Sequence, residues 1–136
     1  MESLHDHHLR SFSVDARAKT LRLETAWPLA PGPAFAEAVF DGVEAYVIAG
    51  DALGTIFFAV AEADPLALYK EYGESMRLAY EQSGGHAPWV RTSERAREFF
   101  SAHSIQGYAL NSSIGLTGAI WAKSYSAHWL VAPTDD

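Results

Sequence analysis

The side chains best suited to binding a metal ion lie near the start of the chain, at His5, Asp6, His7 and His8. In an extended segment successive side chains point to opposite sides, so His5 and His7 face one way while Asp6 and His8 face the other. At most two ligands then converge from this cluster. A catalytic zinc ion takes three protein ligands, so the cluster is incomplete by itself.

A third ligand would have to come from a later histidine, His86, His103 or His128, and no spacing in the sequence selects one. The alternative is a polar N-terminal arm, residues 1–8, that leads into the first strand and is held by one His-Asp hydrogen bond. We favour the arm. We therefore expect no bound metal and no cofactor, and His5 and His7 are the candidate ligands if this expectation is wrong.

Covalent catalysis has no specific support in the sequence. The serines lie in strand or turn contexts, and nothing resembles the G-x-S-x-G turn that exposes a nucleophile. The chain has no cysteine, which excludes disulfides and thiolate chemistry. A second hypothesis is a small-ligand-binding or hydrolytic domain, with a pocket between an aromatic helix and the sheet in which His86 or His103 acts as a general base. The residues expected to line this pocket are Tyr69, Tyr72, His86 and His103.

Charge is distributed unevenly along the chain. Seventeen Asp and Glu residues against ten Lys and Arg give a net charge of −7, which opposes binding to nucleic acid or to an anionic membrane. No Lys or Arg lies between Arg22 and Lys70, whereas seven carboxylates do. This pattern predicts an acidic face suited to a basic protein partner, although ordinary solubility charge is the competing explanation. The residues expected to form the face are Glu37, Asp41, Glu44 and Asp51.

The start of the chain has neither the basic nor the apolar region of a secretion signal. The longest uncharged apolar run, residues 56–61, is far shorter than the ~20 residues that span a bilayer. We therefore expect a cytoplasmic protein. The 136 residues are the length of one domain, and no linker divides them.

Alternating apolar residues predict two hairpins in the first third of the chain. Strands around residues 12–14 and 21–27 would form the first hairpin. The second would join residues 35–40 to residues 43–48 through Asp41-Gly42, a pair typical of a type I′ turn.

The next two segments change character. Residues 53–61 are apolar on both strand faces, which predicts a central strand with Phe57 and Phe58 both buried. Asp64-Pro65 then opens a helix, because apolar residues recur every three or four positions after it. The residues of this apolar stripe are Tyr69, Tyr72, Met76 and Tyr80.

The last part of the chain predicts a shorter helix from Thr92 or Ser93 to about His103, followed by a hairpin of residues 105–110 and 116–125. Gly107 and Gly118 are interpreted as bulge or turn positions of this hairpin. The tail, residues 126–136, contains Trp129 and is too apolar to lie in water. It either docks on its own domain or crosses a two-fold axis, and we expect a homodimer.

Four short motifs occur in the first half of the chain: Leu4-His5-Asp6, Phe12-x-Val14-Asp15, Leu21-x-Leu23 and Val39-Phe40-Asp41-Gly42-Val43. With these motifs the chain resembles, mainly over residues 4–62, small uncharacterised bacterial proteins that include immunity proteins of polymorphic toxin systems. The resemblance implies a compact α+β domain that acts by binding and has no catalytic residues.

Together these patterns predict an α+β fold: a mostly antiparallel, twisted sheet or open barrel of about seven strands, with two helices inserted before the last hairpin. The favoured function is that of a non-catalytic protein-binding domain, toxin-neutralising or otherwise protein-interacting, that uses its acidic face. The small-ligand or hydrolytic domain is the alternative.

Overall fold

The computed structural model describes residues 4, 6–49, 56–83, 88–112 and 117–134, and the side chains of residues 49, 56–59, 79–83, 88 and 112 lie outside this description. The described elements, in chain order, are β1 (His7–Asp15), β2 (Thr20–Ala26), β3 (Phe35–Asp41), β4 (Ala45–Ala49), β5 (Ile56–Ala63), α1 (Pro65–Ser83), a short 3-10 helix (Pro88–Val90), α2 (Ser93–His103), β6 (Gln106–Ser112), β7 (Thr117–Ala122) and β8 (Ser124–Val131).

The predicted α+β class and the two helices before the β6–β7 hairpin are confirmed. Within the described residues there are eight strands, and every ladder is antiparallel. The pairing order is β4-β7-β6-β5-β1-β2-β3-β8, but only two residue pairs, His7 with Phe57 and His8 with Ile56, join β5 to β1. The strands therefore form two four-stranded sheets, sheet A (β1, β2, β3, β8) and sheet B (β4, β5, β6, β7).

The open barrel considered from the sequence is wrong, because the two sheets stack instead of closing. Leu21 and Phe40 of sheet A and Ile120 of sheet B are fully buried in one core between the sheets. The Phe40 ring lies 5.4 Å from the Tyr108 ring of β6, measured between centroids. The helices cover the other face of sheet B, where Trp121 is fully buried beside them.

The predicted first hairpin is confirmed in β1 and β2, which pair from His8 with Ala26 to Asp15 with Thr20. Its turn is held by Asp15, whose Oδ1 accepts hydrogen bonds from the backbone N–H groups of Arg17 and Ala18. Lys19 completes the turn at a positive φ of 57°.

The predicted second hairpin is wrong. β3 pairs with β2 and β8, whereas β4 pairs with β7, so the turn at Asp41-Gly42 connects the two sheets. Gly42 does adopt a positive φ, 64°, as a tight turn requires. The following backbone N–H groups then bond elsewhere: Val43 donates to the Lys19 carbonyl and Glu44 donates to the Trp121 carbonyl.

The tail of the chain is the eighth strand. After β7 the chain changes sheets at Lys123, whose N–H donates to the Asp41 carbonyl over 2.9 Å. β8 then pairs with β3 along its length, and Trp129 packs half-buried against the core between the sheets. The docking of the tail on its own domain, one of the two expected outcomes, is therefore observed.

Both predicted helices are confirmed. Asp64 caps α1 by accepting a hydrogen bond from the Leu66 N–H, and Tyr69 and Met76 are buried on the predicted stripe. The Tyr80 side chain lies outside the description. Thr92 caps α2 by accepting from the Arg95 N–H, and Ser104 ends the helix in the left-handed conformation.

The interpretation of Gly107 and Gly118 as bulge or turn positions is wrong, because both lie in regular ladder. Both glycines instead allow the backbone of a neighbouring element to approach closely. A Cβ atom at Gly107 would lie 2.6 Å from the Ala63 carbonyl oxygen and 2.9 Å from Cα of Pro65, at the start of α1. A Cβ atom at Gly118 would lie 2.2 Å from the Val47 carbonyl oxygen.

We therefore expect Gly107→Ala to lower the free energy of unfolding by about 1–3 kcal/mol, because the clash is with backbone atoms that cannot rotate away. Gly32→Ala is the matched control, since nothing lies within 4 Å of a Cβ atom there. It should change the free energy of unfolding by less than about 1 kcal/mol. Urea denaturation of both variants tests this, and equal stability of the two would contradict it.

Candidate binding groove

The three described residues of the predicted acidic face, Glu37, Asp41 and Glu44, lie on two different parts of the surface. Glu37 is on the outer face of sheet A, where Nη1 of Arg22 donates to its Oε1 over 2.9 Å and His128 Nε2 lies 3.4 Å from the same oxygen. Its cross-strand neighbour Glu24 is paired with Arg10 at 3.1 Å. This face therefore carries charges of both signs.

Asp41 and Glu44 lie together at the turn where the chain leaves sheet A for sheet B. Asp41 is exposed at the end of β3. Glu44 accepts a hydrogen bond from Nζ of Lys19 over 3.2 Å. Asp51, the fourth predicted residue, lies outside the described residues.

Two of the residues predicted to line a pocket, Tyr69 and Tyr72, lie together in the core between the helices and sheet B. The Tyr69 hydroxyl is buried and donates to the Val90 carbonyl over 2.6 Å, and burial raises its pKa, so it is a structural donor. Tyr72 is half-buried in the core between helices and sheet. His103 is exposed and packs on Phe99, with 4.4 Å between ring centroids. His86 lies outside the described residues.

His7 occupies a buried site, although it was considered as a metal ligand. Only 3% of its surface is exposed, its Nδ1 lies 2.8 Å from the Thr25 hydroxyl, and its ring packs between the Trp27 and Trp129 rings at 5.1 and 5.4 Å. The arm before it is anchored by Leu4, which is fully buried in the core between the sheets.

His5 lies outside the described residues. Across the described ranges, no three His, Asp or Glu side chains are grouped so that they could hold a metal ion. Neither α1 nor α2, the α-helices of the described chain, combines the length and apolar character that crossing a membrane requires.

A groove of about 700 Å³ runs along β4, a feature that the sequence patterns did not predict. β4 is an edge strand: in the described part of the chain it pairs with β7 alone. The β1–β2 hairpin forms one wall with Val14 and Thr20. The other wall is α1, which contributes Ser75 and Met76.

The groove presents apolar side chains to solvent. Tyr46 is 41% exposed and Val14 is 38% exposed, and Val43, Val47 and Ile48 also line the groove. Large side chains left in water in this way mark interaction sites when they are contiguous.

The charged side chains of the groove are each engaged within the fold. Among the described lining residues they are Asp15, Lys19 and Glu44. Asp15 is engaged in the hairpin turn, and Lys19 is paired with Glu44.

A second, smaller depression of about 320 Å³ lies between α1 and the start of α2. Its described lining includes the three cations Lys70, Arg77 and Arg91, together with Glu74. Two further basic residues of α2, Arg95 and Arg97, are also exposed.

The burial of His7 predicts a specific pH dependence of stability. Burial lowers its pKa below the ordinary value of 6.5, and the Asp6 charge opposes this shift. Below pH 6.5 the unfolded chain binds the proton more readily than the folded one, so the free energy of unfolding should fall as the pH decreases from 6.5 towards the lowered pKa.

Urea denaturation between pH 7.5 and 5 tests this expectation. His7→Gln, which keeps a hydrogen-bonding group near Thr25, should show a shallower decrease in stability than the wild-type chain. Identical slopes for His7→Gln and wild type would show that His7 does not contribute.

Comparison of the chain with protein-family models, with curated proteins and with solved structures finds no match in any of the three.

Proposed function

We propose that this chain is a non-catalytic protein-binding domain whose partner docks in the groove along β4. The observation that carries the proposal is a strand edge left open within the described residues, with the exposed Tyr46 on one face of β4 and the half-buried Val47 on the other. A partner that covers Tyr46 and Val14 would remove apolar surface from water, which is the main favourable term in most protein associations.

The charges around the groove support a basic partner. Asp41 and Glu44 lie at the end where β4 begins, and the net charge of the chain is −7. Opposite charges on a partner would speed the encounter at low salt. Glu37 belongs to a different surface, so the acidic contribution to this proposal comes from the exposed Asp41 and from Glu44, which is paired with Lys19. The immunity-like role and the cytoplasmic location expected from the sequence remain part of the proposal.

A small ligand is the second candidate. The groove volume of about 700 Å³ falls within the range of small-molecule sites, roughly 300–1,000 Å³. Against it, none of the described residues predicted to line a ligand pocket lies in the groove. The groove follows a strand edge, which suits an extended polypeptide better than a compact molecule.

Photo-crosslinking and affinity measurements test the proposed function. A benzophenone amino acid at Tyr46 should capture a protein in the cells that produce this chain, whereas the same group at Leu29 should not. Leu29 is the matched control because it is 72% exposed in the loop between β2 and β3.

The captured protein, once purified, should bind the wild-type chain directly. Tyr46→Glu should weaken this binding by about tenfold or more, because it places a charge in the apolar contact. Leu29→Glu should leave it unchanged, and melting temperatures would show that both variants are folded. Undiminished binding of Tyr46→Glu, or capture only of a small molecule, would contradict the proposal.

A homodimer is a further part of the proposal. Trp129 is half-buried on its own domain, so the apolar surface left at the β8 edge is that of Leu130, 46% exposed, and Val131. Sedimentation should show a dimer for the wild-type chain and a monomer for Leu130→Lys. A monomeric wild-type chain would end this part of the proposal.

A further inference from the structure

The two strands at the ends of the pairing order differ in how their open edges are protected. β8 alternates polar residues with apolar ones, at Ser124, Ser126 and His128. β4 reads Ala-Tyr-Val-Ile-Ala, with no charged residue, no proline and no glycine. Natural edge strands usually carry such residues, because their open N–H and C=O groups pair readily with other chains. The composition of β4 is that of a strand with a neighbour on both sides.

We propose that the partner supplies this neighbour: an extended segment, about as long as β4, binds in the groove as an additional strand paired with β4. This inference rests on the proposed function and specifies its binding mode. Main-chain hydrogen bonds to β4 would provide affinity, and the two walls of the groove would select the side chains.

The two walls of the groove predict which types of side chain the segment carries. Tyr46 and Ile48 lie opposite Ile120 and Gly118 and point towards the side of the β1–β2 hairpin. Val47 lies opposite Ala119 and points towards α1 and Met76.

An added strand follows the same alternation, so its side chains would reach the two walls in turn. Both walls are mainly apolar, so the segment should be apolar at consecutive positions.

Charge specifies one end of the segment. Glu44 immediately precedes β4 and is paired with Lys19 of the groove, and the exposed Asp41 lies three residues before it. A Lys or Arg at the end of the segment that lies beside Glu44 would meet opposite charge. A second copy of this chain is a poorer occupant, because the β4 strand of that copy, Ala-Tyr-Val-Ile-Ala, contains no Lys or Arg to place beside Glu44.

Selection from a phage-displayed library of linear dodecapeptides, with the full chain as target, tests the binding mode. Selected peptides should share a short apolar run with a basic residue at one end. N-methylation of the peptide backbone at alternate positions should weaken binding by about tenfold or more, because it removes hydrogen-bond donors that pair with β4. N-methylation at the interleaved positions should have little effect.

Hydrogen exchange of the complex gives an independent readout. Alternate amides of β4 should gain protection when the peptide binds, since in an antiparallel ladder alternate residues point to β7 and to the open edge. A scrambled peptide of the same composition is the matched control. Glu44→Gln should weaken the binding of a peptide that has the basic end. It should not weaken the binding of the same peptide with Gln in place of its basic residue.

Three outcomes would overturn strand addition. One is that N-methylation weakens peptide binding equally at all positions instead of at every second position. Another is that the library yields no peptide whose binding is weakened by Tyr46→Glu. The third is a wild-type dimer that Tyr46→Glu abolishes, which would make a second copy the occupant. The crosslinked partner is judged separately, so a partner that binds at Tyr46 through a helix would contradict strand addition and leave the proposed function intact.

Discussion

The structure depends on one corner at which the chain passes twice between its two sheets. Gly42, at a φ of 64°, turns the chain out of β3 and into β4, and Lys123 marks the return from β7 to β8. The two passages are bonded to each other, because the Lys123 N–H donates to the Asp41 carbonyl and the Glu44 N–H donates to the Trp121 carbonyl. An L side chain at Gly42 would meet both the strained backbone conformation and the Lys123 side chain, 2.8 Å away. The corner thus determines which strands become neighbours.

The layering of the molecule follows from that corner. Because β4 continues beside β7, and β8 continues beside β3, the sheets face each other and enclose Phe40 and Ile120. Sheet B is then covered on both faces, since α1 and α2 pack on its other side. This explains why small residues are needed in its strands: Gly107 lies directly under the start of α1, and Gly118 approaches the β4 backbone. Trp121 links the two regions by donating from its indole N–H to the Pro65 carbonyl over 3.0 Å.

The same corner produces the groove. If Asp41-Gly42 closed a hairpin, β4 would lie against β3 and its second edge would face another part of the fold. Instead β4 is carried to the end of sheet B, between the β1–β2 hairpin and α1, with Tyr46 exposed. The acidic residues at this corner then lie beside the apolar groove. Neither the charge nor the apolar surface would identify a binding site alone, but here the two lie together. The buried His7, between two tryptophan rings, belongs to the structural part of the molecule.

The local elements could be predicted from the amino-acid sequence, because they depend on residues that are close together in the chain. Asp64-Pro65 and Thr92 identify the starts of α1 and α2, and alternation identifies the strands of the β1–β2 hairpin. Composition excluded thiol chemistry, and charge identified Asp41 and Glu44 as acidic surface. The pairing of the strands could not be predicted from the sequence, since a Gly at positive φ suits a hairpin and a sheet-changing corner equally well. The burial of Leu4 and His7 and the exposure of Tyr46 could not be predicted either, because burial depends on residues that are distant in sequence. His7 is buried by contacts with Thr25 and Trp129. Tyr46 is exposed because β4 has no second neighbouring strand among the described residues.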